Sequence, residues 1–243
     1  MRDYEQELKK RVAFIRFALN DAHCQAVVYG NSGGKDSALV GILCKLACEN
    51  TLGVAMPCQS TRNFGEDMED ALAVARQFHI ETVTVDLSDV KAALCQQIAP
   101  IQQLDQPSLG NIAPRLRMTT LYAIAQSRRA LVAGTGNKCE RFMGYFTKWG
   151  DGACDFNPIA DLTVTEIYEF LAYLQAPENI ITKAPSAGLF EGQTDEDEMG
   201  VTYDEIESYM ETGSCGNDHD KTIHRAHQVT EHKRRMPLVY VED

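Results

Sequence analysis

Residues 25–50 read Gln25-Ala26-Val27-Val28-Tyr29, then Gly30-Asn31-Ser32-Gly33-Gly34-Lys35, then Asp36-Ser37-Ala38-Leu39-Val40-Gly41-Ile42-Leu43-Cys44-Lys45-Leu46-Ala47-Cys48-Glu49-Asn50. The first five residues form a short apolar run closed by glycine, the pattern of a buried strand. From Asp36 onward, Leu39, Ile42, Leu43 and Leu46 recur at i, i+3, i+4 and i+7, so a helix over 36–50 follows. The glycines between them let backbone N–H groups turn toward an anion with no Cβ in the way. The helix adds its own unpaired N–H groups and the positive end of its dipole. The loop differs from a Walker A loop, because Gly30 and Gly34 enclose three residues and Asp36 follows Lys35. An aspartate at the mouth of a phosphate loop repels phosphate unless a cation lies between them, so Asp36 points to Mg²⁺.

The same pattern continues outward. A helix over 3–20 carries Leu8, Val12, Ile15 and Leu19 on one face. Strands are expected at 52–56, 81–87 and 130–133, and helices at 66–79, 88–104, 111–129 and 163–174. Thr163-Val164-Thr165-Glu166 has the form of a capping box at the start of the last of these. Strands that alternate with helices imply an α/β fold, a doubly wound parallel sheet with helices on both faces. Ligands of such sheets sit outside the carboxyl ends of the strands, so the glycine-rich segments 30–34 and 134–136 should face one cleft. Residues 185–230 are glycine-punctuated and acidic, with helices expected only near 203–210 and 218–232.

At 243 residues and a net charge of −12, the chain is the size of one large domain and lacks the basic surface a nucleic-acid partner needs. No apolar stretch is long enough for a membrane, and Met1–Arg11 is charged rather than signal-like. Eight scattered cysteines without a C-x-x-C pair read as reduced thiols of a cytoplasmic protein. Cys215, His219, His224, His227 and His232 lie close in sequence, but at spacings of no common zinc finger.

Ser32 to Ser37 resembles the S-G-G-x-D-S loop of the ATP pyrophosphatase superfamily. Asn111-Ile112-Ala113-Pro114-Arg115-Leu116-Arg117-Met118 and Gly144-Tyr145-Phe146-Thr147-Lys148-Trp149-Gly150-Asp151-Gly152 resemble segments of the NAD synthetases, as do Pro185–Leu189 and His232–Pro237. The likeness covers roughly residues 5–240. It implies a five-stranded Rossmann-like sheet in a single domain over 1–243, with no glutaminase domain, so that ammonia is the nitrogen source. It implies cleavage of ATP to AMP and pyrophosphate, an acyl-adenylate of deamido-NAD, and a homodimer with the substrate near its interface.

Carried over position by position, the resemblance makes Asp36 and Glu140 the Mg²⁺ ligands. It gives Gly30, Asn31, Ser32, Gly33, Gly34, Lys35, Ser37, Met56, Thr135 and Ser186 to ATP and pyrophosphate. Arg115, Tyr145, Phe146, Lys148, Asp155, His232 and Lys233 fall to deamido-NAD. Asp36, Glu140, Asp155 and Lys35 are the catalytic candidates, with Asp155 or Asp151 serving ammonia. Trp149 suits either the core or a cleft wall.

One departure stands out. Relatives commonly place a lysine where this chain has Val164, and Lys35 is expected to supply the missing charge from within the loop. Two alternatives compete with the ligase. A thiolating or tRNA-modifying pyrophosphatase would want a basic face and a cysteine pair. A nucleotide-binding module with weakened catalysis would rest on Val164 alone.

Overall fold

The computed structural model describes residues 2–58, 64–183 and 194–241. Ser186, and with it Pro185–Leu189, lies outside the described residues. Strands β1 (Ala26–Gly30), β2 (Thr51–Ala55), β3 (Glu81–Thr84) and β4 (Ala130–Ala133) form a parallel sheet in the order β3-β2-β1-β4. Helices α1 (Tyr4–Asp21), α2 (Lys35–Ala47), α3 (Glu66–Gln77), α4 (Ser88–Ile98), α5 (Gln106–Gly110) and α6 (Ile112–Arg128) alternate with these strands. After β4 come α7 (Lys138–Met143), α8 (Val164–Tyr173), α9 (Glu178–Thr182), α10 (Asp195–Met199), α11 (Tyr203–Thr212), α12 (His219–Val229) and α13 (Glu231–Arg234).

Side chains of a strand alternate between faces, and β1 uses both. Val27 and Tyr29 pack with Ile15 of α1, Leu39 and Leu43 of α2, and Ile167 and Phe170 of α8. Ala26 and Val28 face the other way, onto Met118, Leu121 and Ala125 of α6. The central strand is therefore apolar throughout and covered on both sides, as the sequence reading requires. A third cluster joins Cys139, Met143 and Val164 to Val201, Tyr203 and Ile206 of α11 and Ile223 of α12.

The expected fifth strand is absent among the described residues. In its place a single parallel bridge joins Ala133 to Phe156 beside β4. Gly134 donates to the Phe156 carbonyl at 2.8 Å. The next ladder donor along would be residue 158, and Pro158 has no N–H to give. Asp155 closes this edge instead: its Oδ2 accepts the Val132 N–H at 2.7 Å.

The capping box forms as read. Thr163 Oγ1 accepts from Glu166 N at 3.3 Å, and Glu166 Oε2 accepts from Thr163 N at 2.9 Å. Several short helices were not legible, among them α5, α7, α9 and α10, each of five or six residues. All eight cysteines are free thiols. Thr163→Ala is expected to lower the unfolding free energy by about 1 kcal/mol, the ordinary cost of a lost cap, read as a shifted urea midpoint at unchanged slope.

Candidate active site

Strand order reverses between β1 and β4, and the chain leaving each strand diverges there. The opening is a cleft of about 610 Å³ that takes in Gly30, Asn31, Ser32 and Gly34 after β1 and Gly134, Thr135 and Gly136 after β4. Both glycine segments thus face one cavity. Gly34 precedes α2 as its N-cap with no side-chain cap, so the first N–H groups of the helix have no side chain on them. Ser37 Oγ donates to the Gly34 carbonyl at 2.9 Å and accepts from Ser32 Oγ at 3.0 Å, which sets the curvature of the loop. Gly33 lies slightly behind it, at φ +76°, with the Asp67 carbonyl where a Cβ would be.

Asp36 and Glu140 come from α2 and α7 and meet across this cleft. Asn137 ties them together. Its Nδ2 donates to Asp36 Oδ1 at 3.3 Å, while its backbone N–H donates to Glu140 Oε2 at 2.9 Å. The second bond belongs to a capping box, because Asn137 Oδ1 also accepts from Glu140 N at 2.9 Å. The Lys35 ammonium lies 2.9 Å from Asp36 Oδ2, 5% exposed, beside the rings of Tyr203 and Tyr168. Burial and the Asp36 charge push the Glu140 carboxyl well above the usual range, against the pull of Lys35. Burial works against the Lys35 ammonium, but Asp36 and Glu140 outweigh it and hold the amine charged. Two carboxylates sharing a secluded wall are the donor set of a hard divalent cation, so the residues fit Mg²⁺.

The remaining expected residues divide into two groups. Met56, Thr135, Tyr145, Phe146 and Lys233 line the cleft. Lys233 Nζ donates to the carbonyls of Gly144 and Phe146 at 2.8 and 2.9 Å, and burial lowers its pKa. Lys148 and Trp149 line an adjoining recess of about 190 Å³, with Lys148 Nζ 5.5 Å from the indole and donating to the His232 carbonyl. Trp149 is thus a wall residue, 54% exposed, not core.

Arg115, Asp155 and His232 do not line the cleft in the single chain. Arg115 is exposed on α6 and donates to the Lys148 carbonyl at 3.3 Å. Asp155 holds Val132 N and accepts from the Tyr122 hydroxyl at 3.2 Å. The His232 side chain is exposed. Of the two acids considered for ammonia, Asp151 is the one on the cleft wall. Its Oδ1 accepts from Thr147 N at 3.0 Å, and burial of the carboxyl raises its pKa although the residue keeps an open edge.

Sequence reasoning missed Arg117 and Lys183. Arg117 lines the cleft two residues beyond Arg115 and donates to the Met56 carbonyl at 3.0 Å. Lys183 reaches it from the end of α9, bridging Asp67 at 2.8 Å and Asp70 at 2.5 Å. The helical register of α6 carried the first signal, since Asn111, Pro114, Arg117 and Met118 share the cleft-facing side at spacings of three and four. The histidines of 219–227 are separately engaged, His219 with Glu205, His224 with Tyr209, and His227 stacked on Phe142 at 4.2 Å.

Against known proteins, the chain matches the NAD synthase family over residues 7–237. It is 45% identical over 240 residues to the NH(3)-dependent NAD(+) synthetase of Carboxydothermus hydrogenoformans, covering 98% of each chain. Among solved structures it is similar to the NMN synthetase of Francisella tularensis, with a TM-score of 0.92, 36% identity and 99% of each chain covered. It is also similar to the NH3-dependent NAD synthetase of Campylobacter jejuni, with a TM-score of 0.82, 32% identity and coverage of 99% and 100%. The chain belongs to the NAD synthase family. Its reaction is that of the NH3-dependent members, which make NAD from deamido-NAD, ATP and ammonia. This replaces the alternatives of a tRNA-modifying pyrophosphatase and a bare nucleotide-binding module.

Gly33→Ala adds a Cβ 2.0 Å from the Asp67 carbonyl in a left-handed conformation. It is expected to cost about 1–3 kcal/mol of stability and to weaken ATP binding, measured by thermal unfolding with and without ATP.

Proposed function

We propose that the cleft performs this ligation with Asp36 and Glu140 as the Mg²⁺ ligands and the 30–37 loop as the pyrophosphate cradle. The observation that supports it most is the convergence of Asp36 and Glu140 on one wall, joined through Asn137 and sharing the Lys35 charge. When bound, Mg²⁺ supplies Lewis-acid neutralisation of the charge that develops on the phosphates. The chain's own groups do the rest. Loop amides, Ser32 and Ser37 orient the β- and γ-phosphates. Lys35 faces the same oxygens. The nicotinate carboxylate attacks the α-phosphorus and displaces pyrophosphate, leaving an acyl-adenylate. Asp151, Phe146 and Lys233 lie on the wall where the nicotinate end is expected. Asp151 attracts ammonium and accepts its proton as nitrogen attacks the acyl carbon, and AMP leaves.

Arg115, Lys148, Asp155 and His232 lie outside the main cleft, Lys148 in the adjoining recess, and are left to the far half of a dinucleotide or to a second subunit. Phe14, Phe17 and Tyr122 are exposed apolar residues and favour a homodimer, which sedimentation at the mass of one chain would exclude. Among the described residues no helix is long and apolar enough to cross a membrane, in keeping with a cytoplasmic enzyme.

A second reading has one observation behind it, the TM-score of 0.92 to an enzyme named for NMN. The nicotinate carboxylate is common to the mononucleotide and dinucleotide acids, so the chemistry at the Asp36–Glu140 wall is the same for both. Turnover of ATP, Mg²⁺ and ammonium with either acid, followed by product and AMP, decides between them. Deamido-NAD should give the larger kcat/KM, and a higher value for nicotinate mononucleotide would reassign the substrate. With the better acid, Glu140→Gln should lower kcat by about 10²–10³, the cost of one fixed charge-stabilising contact. Full activity in that variant would remove Glu140 from the mechanism.

A further inference from the structure

The Lys35 ammonium occupies the place where a cation is needed. It is 2.9 Å from Asp36 Oδ2, within electrostatic reach of Glu140, and flanked by the rings of Tyr203 and Tyr168 at 5.6 and 6.0 Å. Asp36 Oδ1 is taken by Asn137. Asp36 thus has both oxygens engaged by the protein itself and its charge offset.

A divalent ion approaching Asp36 and Glu140 alone must displace this ammonium from Oδ2 and then sit beside it, like charge against like. A polyphosphate changes the balance. Placed on the 30–37 loop, it offers the ammonium a multiply charged anion, and Lys35 can turn from Asp36 to phosphate along the same cleft. That frees Oδ2 for the metal.

We propose that Lys35 is a resident counter-ion that keeps the carboxylate pair closed to free divalent cations and opens it when ATP arrives, so that metal and nucleotide load together. The inference rests on the reading of Asp36 and Glu140 as cation ligands. The rings of Tyr168 and Tyr203, at 6.0 and 5.6 Å, help to hold the amine beside Asp36. Val164, at the start of α8, is buried against Cys139 and Ile223 and leaves the task to Lys35.

The test is binding rather than turnover, on the full chain. Mn²⁺ binding without nucleotide is followed by the electron paramagnetic resonance of the free ion. ATP binding without metal is followed by equilibrium dialysis in chelator. Lys35→Met should tighten Mn²⁺ alone by about tenfold and weaken metal-free ATP by about tenfold, within the ordinary range of coupling between sites. Lys35→Arg, which keeps the charge, should behave like the parent in both. Opposite signs cannot come from general damage to the fold, which would weaken both ligands. If Lys35→Met leaves Mn²⁺ affinity unchanged or lowers it, the inference is overturned. Glu140→Gln separates the two failures: if it leaves Mn²⁺ binding intact, the cation-site reading itself falls, whereas loss of Mn²⁺ with no effect of Lys35→Met removes only the counter-ion role.

Discussion

Two carboxylates, Asp36 and Glu140, share a secluded wall at the point where the strand order of the sheet reverses, and the rest of the site is arranged around the repulsion between them. Burial and the Asp36 charge raise the Glu140 carboxyl, and the arrangement persists because Asn137 holds one oxygen of each and Lys35 supplies a compensating charge. Neither acid is placed by long-range accident. Asp36 sits in the first turn of α2, where the helix dipole favours a negative group, and Glu140 is the N3 residue of the α7 capping box. Two local helix-start rules therefore fix a non-local pair.

The chain as a whole carries a charge of −12, yet the substrates of its reaction are nucleotide anions. The two facts are compatible because the cations are local. Lys35, Arg117, Lys183 and Lys233 reach the cavity from four different elements or the chain between them, and the loop amides add partial charge with no titratable group. Lys183 is neutralised by Asp67 and Asp70, and Lys233 is bound to backbone carbonyls. Each positive group is thus held in a fixed orientation, which limits the reorganisation needed when phosphate enters.

What could be read from the sequence was whatever depends on short-range pattern. The β1–loop–α2 unit follows from an apolar run, consecutive glycines and a 3.6-residue period, and the Thr163 cap from four consecutive residues. The fifth strand was misjudged because the ladder beside β4 is stopped by one missing N–H at Pro158, which fold-level likeness overlooks. Asp155, expected as a deamido-NAD contact and a candidate for ammonia, has its carboxylate on Val132 N at the edge that this truncation leaves. Lys183 was illegible because its place depends on how α9 packs near α3, a contact with no periodic signature.

Val164 connects these scales. Its position opens α8, directly after the Thr163 cap. The side chain is buried with Cys139, Met143, Val201 and Ile223, so it fastens α7 and α8 to the α11–α12 pair. That packing steadies the helix that carries Glu140 and brings Tyr203 over the Lys35 ammonium. The lysine proposed to stand in for the missing charge thus sits in surroundings that Val164 helps to build. A lysine inside the loop differs from one on a neighbouring helix in one respect: it lies 2.9 Å from Asp36, the proposed cation ligand, and in that role cannot turn to phosphate without also acting on the cation site. With the roles proposed for them, Lys35, Asp36 and Glu140 form a single electrostatic unit, and changing any one alters the others.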